Sequence, residues 1–179
     1  MATRDDIVNW AIWEANYDSW KPSSEEMIEI FTMSGLPAPT QANLKDFATR
    51  GSNIAYGSGS IAWCGIFACY VLKKWGRLDV RWQFGTGLVG KGVIKRMDYQ
   101  SYRFMRPGDV AVIRNNVNSK GQYLHHHFIV TDVDAGNNRL ESVDGNSTNN
   151  RIVWHTNRKI ENGSDNFLKQ PYCIYQVVA

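Results

Sequence analysis

The chain is poor in cysteine. It has three in 179 residues, an odd count with no framework spacing, which argues against a disulfide scaffold and for reduced thiols. It has no apolar run of membrane-spanning length. The longest, Ile61 to Leu72, falls short of the about 20 residues that a spanning helix needs, so no membrane insertion is expected. It shows no signal peptide: Met1-Ala2-Thr3-Arg4-Asp5-Asp6 carries acids where a basic and then apolar leader would stand. Synthesis in the cytoplasm is therefore expected, with any outside target reached only by release or secretion. Charge bias is slight. A net charge of +3 is too little to argue for a nucleic acid partner, although it does not hinder approach to an anionic surface. No His-Glu-x-x-His or Cys-x-x-Cys pattern occurs, and no metal or other cofactor is expected. The glycines of Phe84 to Val93 lack the lysine and Ser/Thr spacing of a phosphate loop, so that stretch reads as a loop with at most a short helix.

What is present is an ordinary globular composition and a change of period along the chain. With 43% hydrophobic residues, 179 residues suffice for one domain with a sizeable core. Helical spacing covers Asp5 to Tyr17, with Thr3 as N-cap; Glu25 to Met33, with Ser24 as cap; and Gln41 to Ala48. Period two takes over after the turn Arg106-Pro107-Gly108-Asp109. It predicts strands at Val110 to Ile113, His126 to Val133, Leu140 to Val143, Ile152 to Thr156 and Cys173 to Val178, and reads Asn115 to Gln122 as a loop. Helices first and an antiparallel sheet after is an α+β order. One domain, 1–179, is expected, with 1–50 a helical subdomain packed on a core of 51–179.

Between the two halves lies the stretch Ile61 to Gly76. It reads as a buried helix starting near Ala62 or Trp63, after the loop Tyr56-Gly57-Ser58-Gly59-Ser60, and stopping at Gly76 behind Lys73 and Lys74. Cys64 then sits in the first turn, where the helix dipole and free N–H groups favour thiolate, the nucleophilic form. Cys69, in mid-helix between Phe67 and Val71, reads as packing. Trp82, Phe84, Tyr99, Tyr102 and Phe104 could line a groove but read more simply as core.

A cysteine nucleophile needs a base, a group that orients the base, and donors for the oxyanion. His125, His126 and His127 open the second strand of the sheet. Asp144 and Asn146 close the third, which the hairpin at Ala135-Gly136-Asn137-Asn138 sets beside it. Alternation along a strand sends His126 and His127 to opposite faces, which implies that only one of them meets Cys64. Asp144 and Asn146 share a face if the strand runs on through Gly145. His125 and His127 share the other face and would suit zinc only with a third ligand. His155 reads as structural.

Four segments, in order, resemble the NlpC/P60 and CHAP families, papain-like hydrolases of peptidoglycan. They are Trp63-Cys64-Gly65-Ile66-Phe67, Arg106-Pro107-Gly108-Asp109-Val110, His126 through Asp134, and Glu141-Ser142-Val143-Asp144-Gly145-Asn146. The resemblance covers about Tyr56 to Asn146. It implies a papain-like fold, Cys64 as nucleophile, His126 as base with His127 as alternative, and Asp144 or Asn146 as the orienting group, where the families usually carry Glu at the position of Asp144. Tyr56, Ser60 and Trp63 are candidates for holding substrate or oxyanion, beside the backbone N–H of Cys64. The implied reaction is cleavage of an amide in peptidoglycan, either N-acetylmuramoyl-L-alanine or a stem-peptide or crossbridge bond. A phage lysin or a secreted antibacterial effector would fit, and an effector implies an immunity protein that plugs the groove. The alternatives are a thiol hydrolase of another amide and a non-catalytic wall-binding or partner-binding module.

Overall fold

Nine consecutive buried residues, Cys64 to Leu72, form the centre of the molecule. They belong to helix α4 (Cys64–Lys74), which is apolar all round and so must be covered on every side. A computed structural model of the chain describes residues 3–16, 21–50, 54–56, 59–98, 104–117, 121, 123–161 and 171–178. Three further helices, α1 (Arg4–Asn16), α2 (Ser24–Met33) and α3 (Gln41–Arg50), precede α4. Their buried residues Ile7, Ala11, Met27, Phe31, Leu44 and Phe47 join one hydrophobic cluster with α4 and the sheet.

The three N-terminal helices start by the same local device. The hydroxyl of a Ser or Thr before each accepts from the backbone N–H three residues on, and its own N–H donates to that residue's side-chain oxygen: Thr3 with Asp6, Ser23 with Glu26, Thr40 with Asn43. Such reciprocal capping satisfies N–H groups that a helix start leaves open. The cap of α2 is Ser23, not Ser24, because Glu26 is the residue placed to return the bond. Helix α4 differs: no side chain caps it, and its N-cap is Trp63.

The main sheet has six antiparallel strands in the order β5-β10-β6-β7-β8-β9. These are β5 (Ile94–Asp98), β6 (Val110–Val117), β7 (Tyr123–Asp134), β8 (Arg139–Asp144), β9 (Val153–Lys159) and β10 (Pro171–Val177). The fold is thus α+β. Two short hairpins, β1 (Ile54–Tyr56) with β2 (Gly59–Ile61) and β3 (Arg81–Gln83) with β4 (Gly87–Val89), complete the described elements. The glycine-punctuated stretch after Trp82 is therefore a hairpin followed by an edge strand, not a loop. Its alternation is too short to signal strands: Arg81 to Gln83 has only one inward side chain. The polar run from Asn115 continues β6 to Val117 before leaving the described residues.

One sheet face, bearing Val110, Val112, Ile129 and Val143, packs on α4. The other carries a smaller cluster of Ala111, Phe128, Val130, Leu140 and Ile174. Asp109, in the turn before β6, is fully buried and accepts from Arg106 N, Val177 N and the Arg4 guanidinium at 2.8 to 2.9 Å. It ties α1, the turn and β10 together, and burial raises its pKa against the pull of these donors. Among the described residues no helix is long and apolar enough to cross a membrane.

Candidate active site

Helix α4 delivers Cys64 to the edge of a strand. The backbone of Val130 bonds the β6 side of β7, through Gly108 N and Asp109 O. Alternate residues of an antiparallel strand point their N–H and C=O to opposite neighbours. The amide of His127 and the carbonyl of His125 therefore face β8. But β8 ends at Asp144, and Gly145 turns against Phe67, so closely that an added Cβ would come within 2.6 Å of that ring's Cβ. The sulfur occupies the vacated edge. His127 N–H donates to Sγ at 3.5 Å, and Sγ lies 3.8 Å from His125 O.

The ring at hydrogen-bonding distance from the sulfur is that of His127, the alternative of the pair and not the first choice of the sequence reading. His127 Nδ1 lies 3.8 Å from Sγ. His126, on the opposite strand face, acts on the sulfur chiefly through its charge, more strongly than His127 does.

His126 in turn is bound to Asp144, with Nε2 2.6 Å from Oδ2. An ionised carboxylate only accepts, so Nε2 carries the proton that faces it. Asp144 has no exposed surface and holds three more partners: Ser142 Oγ donates to Oδ1 at 2.8 Å, Arg158 Nη2 to Oδ2 at 2.5 Å, and His155 Nε2 stands 3.8 Å away. Arg158 comes from β9 and lies over the ring of Phe128, 4.5 Å from its centre. Arg158 was not foreseen from the sequence. An arginine on a strand is unremarkable until the register sets it beside a buried acid.

The electrostatics follow from these contacts. Burial pushes the Cys64 thiol up, but the charge of His126 and hydrogen bonds from His126 and His127 bring it down to about 5. Burial pushes His126 down, but the Asp144 carboxylate and the sulfur raise it to about 10. Burial raises Asp144 as well; Arg158, His126 and His155 outweigh it and hold the carboxyl well below the usual range. These influences favour a thiolate, an imidazolium and a carboxylate at neutral pH. The other two cysteines lie in different surroundings. Burial pushes Cys69 up to about 12 and also raises Cys173.

Helix α4 adds donors. Its first i→i−4 bond is Phe67 N to Trp63 O, so the N–H groups of Cys64, Gly65 and Ile66 have no acceptor within the helix. Trp82 of β3 lies over this turn. An added Cβ at Gly65 would fall 2.2 Å from its ring, which also meets the ring of His127 edge-on at 5.1 Å. Only glycine allows the tryptophan this close.

The remaining candidates are elsewhere. Trp63 is fully buried, edge-on to Phe47 and Phe67, and packs the core instead of facing a substrate. The Tyr56 hydroxyl donates to Pro37 O at 3.0 Å. Ser60 pairs with Ala55 through its backbone, and its side chain lies outside the described part. Asn146 follows the end of β8 in a left-handed conformation, φ 53°, so it does not continue the strand face of Asp144. Tyr99 and Tyr102 lie outside the described residues, and Phe104 is largely exposed. His155 contacts Ser147 and Asp144. His125 and His127 do share a face, yet one stacks on Tyr172 and the other meets Cys64; among the described residues no group of three or more metal-ligating side chains is gathered.

The fold and site thus define an α+β architecture in which a cysteine at a helix start contacts one histidine, His127, and the adjacent histidine, His126, is bonded to a buried aspartate. Comparison with family models, with curated proteins and with solved structures finds no match to this chain.

Proposed function

We propose that the chain is a papain-like cysteine hydrolase that cleaves an amide of bacterial peptidoglycan. The observation that carries the thiol chemistry is the setting of Cys64 at the start of α4, with its sulfur against the amide and ring of His127 and next to His126, whose Nε2 lies 2.6 Å from the buried Asp144 carboxylate; the charge of His126 favours the thiolate. Burial of the sulfur alone would suit a packing cysteine equally. A packing cysteine, however, needs no imidazolium, and the imidazolium needs no buried carboxylate.

The steps follow from the atoms present. The Cys64 thiolate attacks the amide carbonyl, and the C=O pair moves onto oxygen. The N–H groups at the start of α4, which have no acceptor within the helix, are the donors for that oxyanion. The intermediate collapses, the C–N bond breaks, and His126 gives its Nδ1 proton to the leaving amine. Neutral His126 then takes a proton from water, which attacks the thioester and releases the acid. Asp144 keeps the ring oriented and stabilises its charged form throughout.

The substrate class rests on the four ordered segments that resemble NlpC/P60 and CHAP enzymes. The decisive experiment is mass spectrometry of purified peptidoglycan digested by the protein and by Cys64→Ala. Muropeptides shortened at one amide, by the wild type alone, are expected, and their masses identify the bond. Unchanged muropeptides beside a Cys64 that is reactive at neutral pH would move the activity to another amide. Lysis retained by Cys64→Ala would remove the nucleophile. Action on the wall would follow release or secretion, as for a lysin or an antibacterial effector, and for an effector an immunity protein is the implied partner.

A further inference from the structure

The sulfur at the start of α4 is covered. Cys64 is only 2% exposed, and His127, whose ring meets Sγ, only 9%. Attack needs sulfur and carbonyl carbon about 3–3.5 Å apart, and a substrate arriving from solvent does not come that close while the cover is in place. Part of the cover is backbone and core. β7 supplies the amide of His127 and the carbonyl of His125, and Gly145 is wedged against Phe67. Behind the cysteine, α4 is buried through Leu72.

Over the first turn of α4 lies the indole of Trp82. It packs on Gly65, where an added Cβ would fall 2.2 Å from the ring, and it meets the His127 ring edge-on at 5.1 Å. One ring thus bridges the turn whose N–H groups lack a helical acceptor and the imidazole that touches the sulfur.

The backbone under this ring is fixed. Trp82 N–H donates to Ser34 O at 2.9 Å, and Ser34 Oγ donates to Ile66 O of α4 at 2.9 Å. Across the hairpin Trp82 pairs with Leu88, which is buried in the core with Val80. The side chain is held by less. Trp82 is half-buried between the exposed Arg81 and Gln83, and Gly65 offers its ring a seat with no side chain to interlock with it. Rotation about the side-chain bonds carries the ring off Gly65 while the hairpin stays in place.

We propose that the Trp82 indole is the gate of this site: closed over the first turn of α4 in this structure, it admits a substrate amide to Cys64 only when it swings off Gly65 and His127. The inference rests on Cys64 as nucleophile, and deepens that reading by naming what controls access to it.

The test uses the full chain and no substrate. Alkylation of Cys64 at neutral pH is followed by peptide mapping with iodoacetamide and with the bulkier N-pyrenylmaleimide, each rate divided by that of glutathione. Trp82→Ala should raise the Cys64 rate about tenfold or more, and further for the bulky reagent, because the closed fraction no longer limits access. Unchanged rates overturn the gate. A rise that disappears once each rate is corrected for its own thiolate fraction overturns it too, since the indole then acts on charge and not on access. Cys69, fully buried in the same helix, is the control for unfolding. It should stay unlabelled in both proteins while Cys64 reacts; equal rates at the two cysteines overturn the gate by assigning access to unfolding. The wild type gives a second reading that does not depend on the variant's folding. In urea well short of the unfolding transition its Cys64 rate should stay flat, because a ring swing exposes little surface. A rate that climbs with urea overturns the gate in favour of local unfolding. A Cys64 as inert as Cys69 in both proteins would strike the nucleophile itself, and the gate with it, whereas a reactive Cys64 indifferent to Trp82→Ala strikes the gate alone.

Discussion

His126 Nε2 lies 2.6 Å from Oδ2 of Asp144, a carboxylate with no exposed surface. In a buried setting this pair acts at a lower effective dielectric than water, and the carboxylate holds the ring charged against the penalty of burial. It also fixes Nε2 as the protonated nitrogen that faces the carboxylate. The charge so held on His126 is the larger influence that lowers the pKa of Cys64.

The three thiols should separate by reactivity. At neutral pH iodoacetamide should modify Cys64 and leave Cys69 and Cys173, which peptide mapping by mass spectrometry reads directly. The Cys64 rate should persist as pH is lowered and decline only near 5, where the thiolate takes its proton. A midpoint near that of a free thiol, about 8.5, would contradict the ion pair.

The two histidines should differ in degree. His126→Ala removes the larger influence on the sulfur and leaves burial to push the thiol up; a loss of about 10²–10⁴ in kcat/KM is expected. His127→Ala removes a hydrogen bond and a weaker charge, and a smaller upward shift of the alkylation midpoint is expected. The opposite order would transfer the base to His127.

Asp144 and Arg158 should behave as a coupled pair. Arg158→Leu leaves the Asp144 carboxylate without its shortest partner, for a loss of about 3 kcal/mol and a Tm lower by about 6–12 °C. Asp144→Asn strands Arg158 in turn and also lowers the alkylation rate at neutral pH, since His126 then loses the charge that keeps it protonated. The double variant should lose clearly less than the sum. Additive losses in thermal unfolding would show that the two side chains do not depend on each other.

Gly65 and Trp82 should also be coupled, through volume. Gly65→Ala drives a methyl into the tryptophan ring, with about 1–3 kcal/mol lost or the ring displaced. In a Trp82→Ala background the three nearest atoms that the methyl meets are gone, so the second substitution should cost clearly less. Urea denaturation of the four chains measures this, and an equal loss in both backgrounds would place the strain elsewhere.

Much of this was legible in the residues themselves. Period and caps mark α1 and α2 to within a residue or two, because local spacing and N-terminal hydrogen bonds depend on neighbours three or four positions away; the loop before Ile61 and the stop at Gly76 mark α4 as closely. The same holds for Cys64 at a helix start and for the strand order that brings His126 beside Asp144. The β3–β4 hairpin and β5 escaped such a reading, since strands of three to five residues on an edge carry too few inward side chains to show a period. Tertiary structure alone decided how the thiol meets its partners. Where β8 stops, and how Gly145 bends against Phe67, place the sulfur beside β7 and not on its face. Arg158 reached Asp144 by strand register, a property of pairing between distant segments. The side-chain alternation of a single strand contains no record of which strand lies next to it, or of where that neighbour ends.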